Sequence, residues 1–307
     1  MSDGPPDEAR RLADERAAAR ASRDWDTADR LRDELRALGW EAVDSAAGST
    51  LRPAPSAASG GTSYARAEHL ASLLEEPPSL DVSLVTLLED HPDDLARLAG
   101  TLRGAAPQQA WELVVVANGK AAPADPVLAG LPATVLPATV RLGWAEAANL
   151  GLRRTRGAVV VLLDSSVEPT GDFVTPLKAA FGDATVGVAG PWGVVSQDAR
   201  RFEDAPPGEV DAVLGYCLAL RREALAAVGG FDPHFRWYRH ADLDLSFAVR
   251  DRGWRAVAVG ELPLRRHEHR GWSSLPEDER DRLSRRNFYR FLKHWGRRPD
   301  LLLAGRA

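Results

Sequence analysis

Cysteine is nearly absent. The lone Cys217 forbids an internal disulfide and any cysteine-based zinc site. Long apolar runs are missing as well: residues 158–163 form one of the longest, far below the ~20 residues a membrane helix needs. The opening residues, Met-Ser-Asp-Gly-Pro-Pro-Asp-Glu, are acidic and lack an apolar core, so no signal peptide is expected. Positive charge is not in excess. The 39 Lys and Arg against 44 Asp and Glu give a formal charge of -5, which argues against nonspecific nucleic-acid binding by the whole chain. The expectation is a soluble, cytoplasmic protein. Its 307 residues suit one large domain or two modest ones. A chain this long buries about 75% of its unfolded surface and needs no disulfide or metal to fold.

Composition divides the chain into three. Residues 7–44 are charged, rich in alanine and free of proline, with no glycine before Gly39. Leu12, Ala13, Arg16, Ala17 and Arg20 share one side of a first helix, and Ala28, Leu31, Leu35 and Leu38 recur at helical spacing in a second. Asp24 or Asp26 can cap that second helix, Trp25 can close the corner, and Gly39 falls where a C′ glycine belongs. Residues 45–63 are Ser-, Ala-, Gly- and Pro-rich and read as a flexible linker, because they carry too little apolar surface to offset ordering. Residues 64–307 form the third part. It opens with a short helix over 64–76, stopped by Pro77 and Pro78.

The run Arg20-Ala-Ser-Arg-Asp-Trp-Asp-Thr-Ala-Asp-Arg-Leu-Arg-Asp-Glu-Leu-Arg-Ala-Leu-Gly-Trp-Glu-Ala-Val-Asp44, followed by Gly48-Ser49-Thr50, resembles the C-terminal tail of bacterial cysteinyl-tRNA synthetases. The synthetase's catalytic domain and zinc cysteines are absent, so aminoacylation is not implied. The resemblance implies an interaction or docking module, with tRNA contact through residues 1–44 as a further reading. The net acidity of the segment weighs against phosphate contact.

From Leu80 onward, apolar runs alternate with amphipathic stretches, the pattern of an α/β fold. Residues 81–88, 111–117, 132–140 and 158–164 are the expected strands. Continuous rather than alternating apolarity places helices on both sheet faces. Ligands of such sheets sit at the carboxyl ends of the strands, which gathers 88–91, 117–119 and 164–168 around one crevice. A dinucleotide-binding domain is excluded: Leu88-Glu-Asp-His-Pro contains none of the glycines that fold requires.

Five strings occur in a telling order. They are Arg141-Leu-Gly-Trp-Ala-Glu-Ala-Ala-Asn-Leu-Gly151, Leu163-Asp-Ser-Ser-Val-Glu-Pro169, Val210 to Asp232 with its Gly-Gly-Phe-Asp ending, Tyr238-Arg-His-Ala-Asp-Leu-Asp-Leu-Ser-Phe247, and Asn287 to Trp295. Over residues 80–296 this order resembles a family 2 glycosyltransferase of the GT-A type. The resemblance implies a Rossmann-like nucleotide-diphospho-sugar transferase fold, with a nucleotide-diphosphate-sugar as donor, an acceptor hydroxyl, and a Mg or Mn cation on the diphosphate. It further implies donor contacts at Asn118, Asn149, Asp164 and Ser166, a metal held by Asp164 and His267, and proton transfer by Asp242 or His240.

The sequence departs from that family's pattern at its chemical positions. Ala117 stands where a base-contacting aspartate belongs, Ser166 replaces the last aspartate of the metal loop, and Arg239 with His240 occupies the place of the Glu-Asp pair. Asp164 can equally cap a turn, His240 can be a helix-start residue, and Glu168 a solvated loop residue. Asp242 and Asp244 remain as nearby carboxylates. His267 and His269, spaced by two, fall on one side if the chain is extended. Residues 265–307 carry twelve Lys or Arg against six Asp or Glu, a surplus suited to a diphosphate, a membrane surface or an anionic polymer. The bland alternative is a solvated helix with ion pairs such as Glu279 and Arg282. Three functions stay open: a transferase with an altered site, a fold that binds nucleotide sugar without turnover, and a translation-associated interaction protein.

Overall fold

The computed structural model describes residues 5–22, 24–38, 40–45, 48–53, 63–104, 107–119 and 125–306. It begins with helices α1 (Asp7–Ala21) and α2 (Trp25–Ala37), then strands β1 (Trp40–Ser45) and β2 (Gly48–Pro53). There follow β3 (Leu80–Leu88), α3 (Pro92–Gly104), β4 (Trp111–Ala117), α4 (Asp125–Leu128), β5 (Ala133–Pro137), α5 (Trp144–Arg153) and β6 (Gly157–Leu163). Next come β7 (Val167–Pro169), α6 (Val174–Ala180), β8 (Val186–Gly190), β9 (Gly193–Ser196), β10 (Phe202–Ala205), β11 (Gly208–Val210), β12 (Ala212–Val213) and β13 (Cys217–Arg221). Then come α7 (Arg222–Val228), α8 (Ala241–Asp251), β14 (Arg255–Ala258), β15 (Leu264–Arg266), α9 (Arg270–Ser273) and α10 (Glu277–Trp295), followed by 3₁₀ turns over Pro299–Leu301 and Leu303–Arg306.

The first two helices pack through Ala9, Leu12, Ala13, Leu31 and Leu35. Asp24 caps α2, its Oδ1 accepting the Thr27 N–H at 3.1 Å. Trp25 does not close the corner; it is 45% exposed. Gly39 lies outside the described residues. The stretch expected as linker from residue 45 supplies β2, which pairs antiparallel with β1 from Trp40↔Pro53 to Ser45↔Gly48. Its alternating backbone groups find partners in that ladder, which composition alone does not disclose.

Residues 64–76 contain only a short 3₁₀ turn over Ala67–His69 in place of the expected helix. Their backbone groups are engaged elsewhere. Leu73 N–H donates to Arg153 O at 2.8 Å, while the Arg222 guanidinium donates to the carbonyls of Leu73 and Glu76.

The central sheet has eight strands in the order β11-β14-β8-β13-β6-β3-β4-β5. β6, β3, β4 and β5 run parallel to one another, and β13 inserts antiparallel between β6 and β8. Both faces are buried, which explains the unbroken apolar strands. Val82, Leu84 and Leu88 of β3 join α3 and α6 on one side, while Val85 and Leu87 join α5, α7, α8 and α10 on the other. Truncating a fully buried leucine such as Leu84 would cost about 2–5 kcal/mol, because a cavity remains as well as a lost transfer term. Gly151 lets α5 approach closely: a Cβ there would stand 2.5 Å from Val85 Cγ1. Among the described residues no helix is long and apolar enough to cross a membrane.

Candidate active site

The crevice lies where the carboxyl ends of β3 and β6 meet the loop before β13. Its lining includes Glu89, Asp90, His91 and Asp94 after β3, Asp164 to Ser166 after β6, and Gly215. Arg141 and Trp144 flank it, and His269 to Gly271 cross its mouth. Residues 117–119, expected on the same wall, are not among those lining residues. The enclosed part measures about 40 Å³, far below the ~300–1,000 Å³ of small-molecule pockets.

That closure has visible causes. Arg270, at the start of α9, reaches Asp94 at 3.0 Å and Asp93 at 3.9 Å, clasping the segment to α3. The His269 ring stacks on Tyr238 with centroids 4.5 Å apart, and Trp272 packs against Trp237 at 6.0 Å.

Asp164 is tied on both oxygens. Oδ1 accepts the Ser166 N–H at 2.8 Å and the Ser166 hydroxyl at 2.5 Å, and Oδ2 stands 3.4 Å from His269 Nε2. Burial alone would raise the Asp164 carboxyl, but the hydrogen bonds from His269 and Ser166 bring it below the usual carboxylate range. Burial likewise pulls on the His269 imidazolium, and the Asp164 carboxylate outweighs it, holding His269 above its ordinary value.

His267, the expected ligand beside Asp164, pairs elsewhere. Its Nε2 meets Glu168 Oε2 at 2.6 Å. The cause is register: β15 pairs with β7 through Arg265↔Glu168, and the chain leaves that ladder at His267. His269 is the N-cap of α9, its Nδ1 accepting the Trp272 N–H, so its other nitrogen faces Asp164. The two imidazoles thus serve two different carboxylates. Glu168 is correspondingly held low by His267 and is no solvated loop residue.

Asp242 and His240 part company in the same way. Asp242, in the first turn of α8, accepts the Gly215 N–H at 2.8 Å on Oδ2 and the Leu243 N–H at 3.0 Å on Oδ1. Gly215 lines the crevice, and the Asp242 carboxylate sits behind it, not itself among the lining residues. Burial raises the Asp242 carboxyl above its ordinary value. His240 is the left-handed N-cap of α8, with φ 67°. Its ring lies 5.4 Å from that of Phe288, and burial followed by repulsion from Arg239 lowers it to about 4. It is not among the crevice-lining residues. Asp244 is turned into the α8–α10 seam, accepting from His294 Nδ1 at 2.9 Å and Trp295 Nε1 at 2.8 Å.

The two asparagines expected to touch a donor both bond loop backbone, and Asn118 Nδ2 also stands 3.4 Å from Glu89 Oε1, a crevice residue. Asn118 is fully buried, accepting the Leu142 N–H and donating to the Leu142 carbonyl, and so staples the β4 end to the loop before α5. Asn149 makes the same pair of hydrogen bonds with the Phe231 backbone, donating to its carbonyl and accepting its N–H. Gly230, at φ 100°, passes so close that a Cβ would stand 2.5 Å from Asn149 Oδ1, which accounts for the Gly-Gly-Phe-Asp string. Arg141 was not singled out in advance; it lines the crevice, paired with Asp90 and, at 3.3 Å, with Glu89. Its place directly before the Leu-Gly-Trp string was the available signal.

A family model, glycosyl transferase family 2, matches residues 84–245. No curated protein matches the chain. Among solved structures, GalNAc-T7 with UDP, GalNAc and Mn2+ aligns with a TM-score of 0.55 at 15% identity, over 74% of this chain and 50% of that one. The chain therefore spans half the length of that protein, and the likeness is one of fold. The mannosyltransferase PcManGT from Pyrobaculum calidifontis, in complex with GDP-Man and Mn2+, aligns at 0.45 and 20% identity, over 64% and 60% of the two chains. S. aureus TarS 1-349 in complex with UDP-GlcNAc aligns at 0.46 and 16%, over 70% and 73%. Because the family model spans more than half of the 307 residues, the chain belongs to glycosyl transferase family 2.

Proposed function

We propose that the crevice transfers a sugar from a nucleoside diphosphate donor to an acceptor hydroxyl. One observation carries this reading: Asp164 and Asp242, from distant parts of the chain, converge on the Gly215–Tyr216 step. GalNAc-T7, which shares the fold, is described with UDP and Mn2+, and the donor set here suits the same class of ligand.

Asp164 and His269 offer one carboxylate and one imidazole whose reaching atoms stand 3.4 Å apart, close enough to share a cation. No cluster of three His, Cys, Asp or Glu completes a cage among the described residues. Two protein donors fit Mg2+ or Mn2+ carried on a diphosphate, since Mg2+ ordinarily keeps waters and substrate oxygens in its shell. Bound there, the cation would offset charge gathering on the departing diphosphate. Ser166 is a neutral residue that fixes the Asp164 rotamer by donating to it.

Asp242 receives the acceptor's proton. As the acceptor oxygen bonds to the anomeric carbon, the bond from that carbon to the diphosphate oxygen breaks, and the proton passes to the carboxylate. The upward shift of Asp242 suits a base, which works best when its pKa approaches the ambient pH. Its two backbone hydrogen bonds hold it in place during that transfer. The segment from His269 to Trp272 excludes water once a donor is seated, and Arg270 brings positive charge to the same wall.

The exchange of a loop carboxylate for Ser166 favours a second reading, a nucleotide-sugar binder without turnover. Donor consumption separates the two. UDP- and GDP-sugars are incubated with Mn2+ and the full chain, and released nucleotide is measured. Release that Asp242→Asn abolishes, with donor binding retained, supports transfer, water standing in for the acceptor hydroxyl; binding without release in the unaltered chain favours the second reading.

A further inference from the structure

Arg266, an exposed residue at the end of β15, sits in the corner between two aromatic rings. Its Cζ lies 4.9 Å from the ring centroid of Trp192 and 4.7 Å from that of Tyr216. The two rings meet nearly edge to face, at 83° with centroids 6.0 Å apart. Register puts the arginine there. Arg265 stands opposite Glu168 in the β7–β15 pair, whereas Arg266 stands opposite the buried Val167. Successive side chains of a strand turn to opposite faces, so Arg266 leaves the carboxylate to its neighbour. It turns instead to the apolar cluster that contains Val167 and against which Trp192 and Tyr216 pack. Among the described residues its guanidinium meets no carboxylate, and the two rings are its partners.

That arrangement leaves the binding edge of the guanidinium open. Stacking on a ring uses the face of the planar group, while the N–H fork that matches a carboxylate or phosphate lies in its plane. An exposed arginine ordinarily gives up rotamer freedom before it can grip an anion, and here the two rings restrict it beforehand. The position adjoins the chemistry. Tyr216 gives its carbonyl to the Asp164 N–H, and Gly215 before it gives its N–H to Asp242. The Trp192 carbonyl accepts the Leu214 N–H at 2.8 Å, and the His267 N–H, next after Arg266, donates to the Ser166 carbonyl at 2.8 Å. Trp192, Tyr216 and Arg266 do not line the enclosed crevice, so the fork lies outside the volume assigned to the donor diphosphate.

We propose that Arg266, held on Trp192 and Tyr216, recognises an oxyanion of the acceptor, which is a sugar bearing a carboxylate or a phosphate. The rings offer apolar surface to the C–H face of such a sugar, and the guanidinium edge takes its charged group. Naming the ligand as acceptor rests on the transferase reading; recognition of the anion does not.

The test is saturation-transfer NMR titration of the full chain with glucuronate, glucose 6-phosphate and, as a neutral control, glucose, beside calorimetry of UDP with Mn2+. At least one anionic sugar should bind about tenfold more tightly than glucose, and whichever binds better identifies the oxyanion as carboxylate or phosphate. Arg266→Gln should weaken the anionic sugar about tenfold, the effect of losing charged hydrogen bonds, while glucose and UDP stay unchanged. Arg266→Lys keeps the charge without the fork and should recover only part of that loss. UDP that fails to bind while the anionic sugar still responds to Arg266→Gln removes the transferase reading and leaves the anion site standing. A loss of UDP affinity in Arg266→Gln assigns the fork to the donor and overturns the proposal. So does equal binding of charged and neutral sugars, a response that Arg266→Gln leaves unchanged, or no binding up to about 10 mM.

Discussion

Asp242 Oδ2 accepts the Gly215 N–H at 2.8 Å, and the next residue, Tyr216, gives its carbonyl to the Asp164 N–H at 3.0 Å. The Asp242 carboxylate and the Asp164 backbone are thus tied to two successive residues of the loop before β13. Asp242→Asn keeps the side chain's shape while removing its capacity to take a proton. Turnover should fall about 10²–10⁴-fold, the usual range for a general base, with donor affinity unchanged. Parallel measurements of kcat and donor Kd check this; equal loss in both would assign Asp242 to binding instead.

The closed mouth has its own consequence. Donor entry must displace His269 to Trp272 from Tyr238, Trp237 and Asp94, since the enclosed volume is about 40 Å³. Hydrogen exchange of residues 267–275 should change when UDP and Mn2+ are added, while that of β3 and β6 stays constant. Arg270→Ala, which opens the clasp on α3, should speed exchange of the same segment without ligand.

Gly230 tests the Asn149 staple. Alanine there must adopt φ 100° and bring a Cβ to 2.5 Å from Asn149 Oδ1. The expected cost is about 1–3 kcal/mol, the range for a strained backbone position, read as a lower urea midpoint with an unchanged m-value.

Arg250 ties α8 to the end of the chain. Its guanidinium donates to the carbonyls of Leu301 and Val210 and stands 3.4 Å from the buried Asp211. Arg250→Met leaves that carboxylate without its cation. Destabilisation of about 3–5 kcal/mol is expected from breaking a buried pair on one side only, measurable by urea unfolding.

His294 supplies a pH dependence. Its hydrogen bond from the ring to Asp244 raises it above the ordinary histidine value, against the opposing effect of burial. The folded state then holds a proton more tightly than the unfolded one. This stabilisation is complete below the unfolded value of about 6.5 and is lost as pH rises through the higher folded value. Urea midpoints between pH 5.5 and 8.5 should fall over that window in the unaltered chain, and the fall should be smaller in His294→Gln.

Much of the fold was legible before any coordinates. Strands buried on both faces leave continuous apolar runs, so β3, β4 and β6 stood out from their composition, as did the crevice at their ends. Asp164 and Ser166 line that crevice because they follow β6 directly, whereas Asp242 joins it only through the Gly215 N–H. His267 and His269 could not be sorted, since which ring meets Asp164 depends on where β15 leaves its pairing with β7. Asn118 and Asn149 look like ligand contacts in a linear string, which does not disclose the loop carbonyls their amides reach.

The most direct test of the account is calorimetric titration of UDP and GDP into the full chain, with and without Mn2+, compared with Asp164→Asn. The account predicts that one nucleotide binds more tightly with Mn2+ present, and that Asp164→Asn removes that gain while leaving the metal-free affinity intact. Equal affinity with and without Mn2+, unchanged in Asp164→Asn, would contradict it.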